Sequence, residues 1–204
     1  MRTNMGRRKR TRWAGLGAAF VLGAVAAAIP SAQGTARAAH AASRPRMAPA
    51  AGQPGGDIPD SAVYLRYVGQ GFNIEYVEGW LQTAAPHGVT FNDKDSLVAV
   101  ELRPHVAGAL AAYVQKADLP RLARTPGFAR GALTRDSVGG HAAMRLSFRD
   151  RSAADAVTGK TVVLQSDRYY VQGPRTLAVI TLSTPLGVDN VDGFRRIAHS
   201  FRFR

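Results

Sequence analysis

The side chains able to do chemistry in this 204-residue chain are five histidines, fourteen carboxylates and no cysteine. Without a thiol there is no disulfide, no Cys-type zinc site, no thiol nucleophile and no lipid link through an N-terminal cysteine. The histidines (His40, His87, His105, His141 and His199) are scattered. No two stand four apart, and H-E-x-x-H does not occur, so the spacing does not point to zinc. His87, His105 and His141 each adjoin a Pro or Gly turn, where a solvated loop residue is the ordinary expectation. Gly-x-Ser-x-Gly is absent, and Ser137, just before Gly139-Gly140, reads as a turn residue. Asn92-Asp93-Lys94-Asp95-Ser96 alternates oxygen ligands as a calcium loop does. It lacks the central Gly and the distal Glu of such a loop, and a polar hairpin loop is the preferred reading. Asp189-Asn190 with Asp192 poses the same question, and helix capping with first-turn dipole stabilisation answers it. The expectation is a protein that is not an enzyme, with no cofactor and no metal.

Residues suited to recognition are easier to find. Trp80 follows a Gly at the end of a strand, as a core anchor or as a partner-facing aromatic. Tyr169 and Tyr170 must point to opposite faces of a sheet, one toward the core and the other, with Tyr170 the candidate, toward a partner. Arg145, Arg149 and Arg151 lie on a strand of alternating character. They form either a solvated outer face or a basic stripe for an acidic partner or lipid headgroups. Trp80, Tyr170, Arg145 and Arg149 are therefore the candidate partner-binding residues.

The net charge of +13 suggests nucleic acid until its placement is considered. Nine of the 27 basic residues fall in residues 1–56, which hold no acid. Residues 57–204 carry the other eighteen against all fourteen acids, a net of +4. That is a mildly basic domain, and no nucleic-acid partner is expected.

The basic run sits in a targeting signal. Arg7-Arg8-Lys9-Arg10-Thr11-Arg12 is a positive n-region, and Trp13 to Ile29 carries no charge. Pro30-Ser31 breaks the run, and Ala36-Arg37-Ala38 and Ala39-His40-Ala41 satisfy the small-residue cleavage rule. Residues 1–41 read as a signal peptide, with an uncleaved membrane anchor as the competing reading. Arg7-Arg8 is a weak match to a twin-arginine signal. Residues 42–61, rich in Ala, Pro and Gly, form a linker. Residues 62–204 form the folded domain, which is expected outside the cytoplasm, periplasmic or secreted.

Within that domain Phe72, Ile74 and Tyr76 alternate with polar residues, as in a half-buried strand. Short strands follow at Leu81 to Thr83 and Val89 to Phe91, then a longer one from Leu97 to Arg103, stopped by Pro104. Ala107 to Lys116 is a helix with Leu110, Val114 and Ala117 on one face, and Asp118 caps a further short turn. Gly131 to Val138 and Ala142 to Arg149 form a hairpin about Gly139-Gly140. Thr161 to Val171 is a strand, and the unbroken apolar run Leu177 to Leu182 suits a central strand covered on both faces. The last helix runs from Val191 to Phe201, burying Val191, Phe194, Ala198 and Phe201, with Asp189 or Asn190 as its N-cap. Strands, helix, strands, helix, joined mostly by hairpins, give an α+β class: an antiparallel β-sheet with helices packed on both faces, an α/β/α sandwich.

Three stretches carry a resemblance. They are Gly71-Phe72-Asn73-Ile74-Glu75-Tyr76 leading to Gly79-Trp80, then Gly88-Val89-Thr90-Phe91-Asn92-Asp93, and a C-terminal set. That set comprises Tyr169-Tyr170-Val171, Leu177 to Ser183 and Asp189 to Phe203. On these, residues 66–204 resemble the PsbP-like group: an extrinsic photosystem II subunit, exported bacterial lipoproteins and a Ran-binding nuclear-import factor. The group often carries a Pro before the Trp, where Val77-Glu78-Gly79 stands here, and its lipoproteins carry a Cys that is absent here. The resemblance implies a sheet sandwiched by helices and a non-enzymatic role assisting a larger assembly. The expected function is thus an accessory or binding protein of the cell envelope, acting on an envelope protein or membrane complex, with peripheral membrane association allowed. The alternative is a carrier or sensor of a small apolar ligand or lipid, and a hydrolase ranks below both.

Overall fold

The computed structural model describes residues 57–204. The expected signal peptide, its anchor alternative and most of the expected linker lie outside the described residues. Ordered contacts begin a little before the expected boundary. The Ile58 N–H donates to Asn190 Oδ1 at 2.6 Å, and Asp57 Oδ1 accepts from the Asp189 N–H at 3.0 Å.

Period-2 patterning shapes most of the chain. The strands are β1 (Tyr64–Val68), β2 (Phe72–Val77), β3 (Leu81–Ala85), β4 (Gly88–Asp93) and β5 (Ser96–Pro104). After a helical segment come β6 (Ala129–Val138), β7 (His141–Arg151), β8 (Val163–Gln172) and β9 (Thr176–Pro185). The helix α3 (Val191–Ser200) and the short β10 (Arg202–Phe203) close the chain. The large sheet has the order β3-β4-β5-β9-β8-β7-β6, antiparallel throughout. A second sheet, β1-β2-β10, is one more than the sequence pattern implies. The β6–β7 hairpin turns through Gly139 and Gly140 with φ of 60° and 80°, as a two-residue turn with both residues left-handed requires.

The apolar run of β9 sits at the centre of the large sheet and is covered on both sides. Ala178, Ile180 and Leu182 pack with Phe194, Ile197 and Ala198 of α3 and with Phe72 and Ile74 of β2. Leu177 and Val179, pointing the other way, pack with Val114, Leu119 and Tyr170. Strand alternation thus supplies two cores from one strand.

Three expectations are corrected. The helix placed at Ala107 to Lys116 is instead a short α1 (Leu110–Tyr113), a π-turn (Val114–Asp118) and α2 (Leu119–Leu122). In the π-turn the Leu119 N–H reaches back five residues to the Val114 carbonyl. The wider turn brings the fourth residue after Val114 over it rather than the third, so Ala117 faces water and Asp118 is buried. Asp118 accordingly makes no side-chain cap. In α3, Val191 is 53% exposed because it opens the first turn beyond the sheet, and Ile197 takes its place in the core. Tyr170 is fully buried rather than facing a partner, because the helical segment covers its side of the sheet.

Candidate functional site

Arg145, Ser147 and Arg149 alternate along β7 and so share a face, opposite Tyr169, Asp167 and Gln165 of β8. On the other side β6 lies against them, and its register shifts between Arg130 and Leu133. The start of α3 stands over the same face. Together they enclose a groove of about 510 Å³ with Arg130, Arg145, Arg149, Asp167, Thr184 and Val191 in its lining.

Its electrostatics are lopsided. Arg145 donates to Asp167 Oδ2 at 2.6 Å, while Ser147 Oγ donates to the other carboxylate oxygen at 2.9 Å. The hydrogen bond it gives to Asp167 raises the Arg145 pKa above its ordinary value. Arg145 also lies over the Tyr169 ring, 5.9 Å from its centroid. Its buried Nε has no hydrogen-bond partner among the described residues. Arg130 and Arg149 enter no ion pair among the described residues. Arg145 and Arg149 therefore share one face with a single carboxylate, Asp167. Arg130, in register with Phe148, leaves β6 on the opposite face and meets the groove only at its edge. An anionic group is the ligand the pair suits. The helix start is itself partly neutralised, since Asp189 Oδ1 accepts from the Val191 N–H at 3.3 Å and Asp192 pairs with Arg195.

Buried polar contacts hold the groove wall. Asn190 Nδ2 donates to Thr184 Oγ1 at 3.0 Å, and Thr184 Oγ1 lies 3.0 Å from Ser96 Oγ. These tie the start of α3 to β5 and β9. They also account for Ser96, which ends the Asn92 to Ser96 hairpin loop pointing inward.

Of the four candidate partner-binding residues, the structure brings Arg145 and Arg149 together and leaves the other two elsewhere. Trp80 is half-buried and packs against the core beside β2 and β4. Tyr170 belongs to a buried charge cluster beneath the π-turn. Its hydroxyl donates to Asp118 Oδ2 at 2.6 Å, and Arg103 donates to Asp118 Oδ1 at 2.8 Å. Arg168 Nε stands 3.1 Å from Asp118, an ion pair outside hydrogen-bond geometry. Arg103 also reaches Glu101 at 2.7 Å and the Tyr113 hydroxyl at 3.2 Å. Burial alone would raise the Asp118 pKa, but Arg168, the Tyr170 hydroxyl and Arg103 together hold it below the ordinary carboxylate value. Tyr170 is pushed up, first by burial and also by the adjacent carboxylate.

The described histidines, His87, His105, His141 and His199, remain apart. His105 Nδ1 lies 3.1 Å from the Gly173 carbonyl, His141 meets the Phe203 ring edge-on, and His199 meets Tyr169. Among the described residues no three His, Asp or Glu side chains are placed to hold a metal ion. None of the described helices is long and apolar enough to cross a membrane. A second cleft, of about 620 Å³, lies between the β1–β2 turn and the β3–β4 turn, with Tyr67, Phe72, Pro86, His87 and Leu102 in its lining.

Arg130 and Asp118 are the residues that the sequence reading passes over. Arg130 precedes a strand irregularity that no local pattern announces. Asp118 stands where a helix cap is the simplest explanation of an acid.

No protein-family model matches the chain, and no curated protein matches it. Among solved structures it is similar to the cyanobacterial PsbP of Synechocystis sp. PCC 6803. The identity is 17% over 76% of this chain and 99% of that one, with a TM-score of 0.49. It is also similar to LpqN of Mycobacterium tuberculosis, described as involved in cell envelope biogenesis: 16% identity over 75% and 87%, TM-score 0.41. A third is the Ran-binding protein Mog1p of Saccharomyces cerevisiae, with 13% identity over 69% and 94% and a TM-score of 0.46.

Proposed function

We propose that this protein is an exported, non-enzymatic binding module of the cell envelope whose groove between β6, β7 and α3 docks an acidic segment of a partner protein. The observation that carries the reading is that Arg145 and Arg149 share one face of β7 in a groove whose lining holds a single carboxylate, Asp167. Guanidinium groups left without an internal partner can offer their paired donors to carboxylates, and excess charge of one sign speeds and orients encounter. The basic n-region and small-residue cleavage patterns at the start of the chain support export.

The test is crosslinking in living cells with the tagged full chain and with an Arg149→Glu variant. The wild type is expected to capture one dominant envelope protein. Capture falls about tenfold or more in the variant, as charge reversal at an electrostatic interface implies. Equal capture by the two proteins would remove the groove from the interface. The carrier reading rests on the second cleft, whose partly aromatic lining suits a small apolar molecule. Native mass spectrometry of protein from its own cells separates the two: a bound mass retained in the charge-reversal variant favours the carrier.

A further inference from the structure

The two edges of the large sheet are built differently. β6 carries Arg130, Arg135 and Asp136 and a register irregularity, devices that discourage a further strand from pairing. β3, at the other edge, has none of these. Its sequence Leu81-Gln82-Thr83-Ala84-Ala85 holds no charge and no proline, and all five residues are exposed. Among the described residues its partner is β4 alone, in the register Ala85 with Gly88 and Thr83 with Thr90. Only Pro86 and His87 separate Ala85 from Gly88, so that pair is the hydrogen-bonded closing pair of a two-residue turn. Alternation from there turns the backbone N–H and C=O of Gln82 and Ala84 outward, away from β4.

We propose that β3 is a self-association edge, on which a second copy of this chain adds its own β3 antiparallel about a two-fold axis through Thr83. In that register Gln82 exchanges both backbone bonds with Ala84 of the second copy, and Thr83 faces its own equivalent as a close, non-hydrogen-bonded pair. Self-complementarity selects this occupant. No like charges meet along the strand, and a Thr–Thr cross-strand pair is favourable. Leu81, 64% exposed, falls opposite Ala85 of the second copy, which covers part of it. Beyond the strand, half-buried Trp80 comes level with Pro86 of the second copy. The ionisable residues nearest in sequence, Glu78 and His87, are of opposite kind and both exposed. Five residues per chain make a small interface, so the dimer forms reversibly and depends on concentration.

The absence of cysteine makes the register testable on the full chain. Analytical ultracentrifugation of the wild type is expected to show a mass rising toward the dimer with concentration, whereas Thr83→Lys, confirmed as folded by circular dichroism, stays monomeric. Mild oxidation is expected to convert Thr83→Cys into a covalent dimer at least tenfold faster than Leu81→Cys, whose side chain meets position 85 rather than itself. A wild type monomeric at every concentration overturns the proposal, as does a dimer untouched by Thr83→Lys, or equal crosslinking at the two positions. A monomer whose β3 amides gain exchange protection only in the presence of membrane proteins assigns the edge to a foreign strand, and overturns self-pairing. The groove charge-reversal variant is expected to dimerise as the wild type does, which keeps this result separate from the proposed function.

Discussion

At the scale of the residue, Asp118 carries the heaviest consequences. It is a nearly inaccessible carboxylate flanked by two guanidinium groups and a phenol. If the acid is removed, Arg168 and the Tyr170 hydroxyl lose their counterpart and Arg103 is left with Glu101 alone as an ion-pair partner. Such a cluster is not a large net gain over an apolar core, but breaking it leaves charge buried without compensation. Asp118→Ala is expected to cost about 3 kcal/mol in urea unfolding, and Tyr170→Phe about 2 kcal/mol, the loss of one buried charge-assisted hydrogen bond. The pH dependence has a definite sign. The folded pKa of Asp118 lies below its unfolded value, so its contribution is complete above the unfolded value of about 3.9 and drains away as pH falls through the lower, folded one. Urea midpoints measured downward from neutral pH should fall below about pH 4 in the wild type and fall less steeply in Asp118→Ala. The identity of Asp118 is plain in the sequence. Its burial is not, because a single acid between a helix and a proline reads equally well as a cap.

The π-turn is the element that makes this residue matter. A regular helix from 107 continued through 117 would offer Ala117 to the sheet, as the spacing of Leu110, Val114 and Ala117 suggests. The wider turn between Val114 and Leu119 turns Ala117 outward and delivers Asp118 to Arg103 and Arg168, which arrive from β5 and β8. Deleting Ala117 removes the extra residue and should destabilise by about 3 kcal/mol. Asp118→Ala should then cost much less in the deleted background than in the wild type, since both changes act on one network. Additive costs in the double variant would detach the π-turn from the charge cluster. The strands posed a simpler problem. Phe72, Ile74 and the Leu177 to Leu182 run are buried where their patterns place them, because period 2 is a property of the strand itself.

For the whole molecule, the large sheet divides the domain into two cores whose residues alternate along β9, and the groove and the β3 edge lie at different places on it. Residues 57–61 belong to this architecture, although the Pro- and Gly-rich composition reads as linker up to 61. Ile58 packs against the core that contains α3 and gives its N–H to Asn190. A chain starting at residue 62 should therefore be less stable than one starting at 57 by about 2 kcal/mol, from lost apolar burial and one hydrogen bond. Equal urea midpoints for the two would show that this strap adds nothing.

Local chemistry was enough to determine the α+β class, β2 and the strands of the large sheet (though not β1 or β10), the Gly139-Gly140 hairpin, the mild charge of residues 57–204 and the shared face of Arg145 and Arg149. Each of these follows from periodicity, turn geometry or counting within a few residues of chain. Only the tertiary structure decided that Asp167 of β8 stands beside that pair, that Tyr170 is sealed beneath a helical segment, and that one sheet edge is guarded while the other is bare. Those outcomes depend on which strands become neighbours and what covers them. β9 pairs with β5 across some eighty residues of intervening chain, and no pattern of local spacing encodes such a contact.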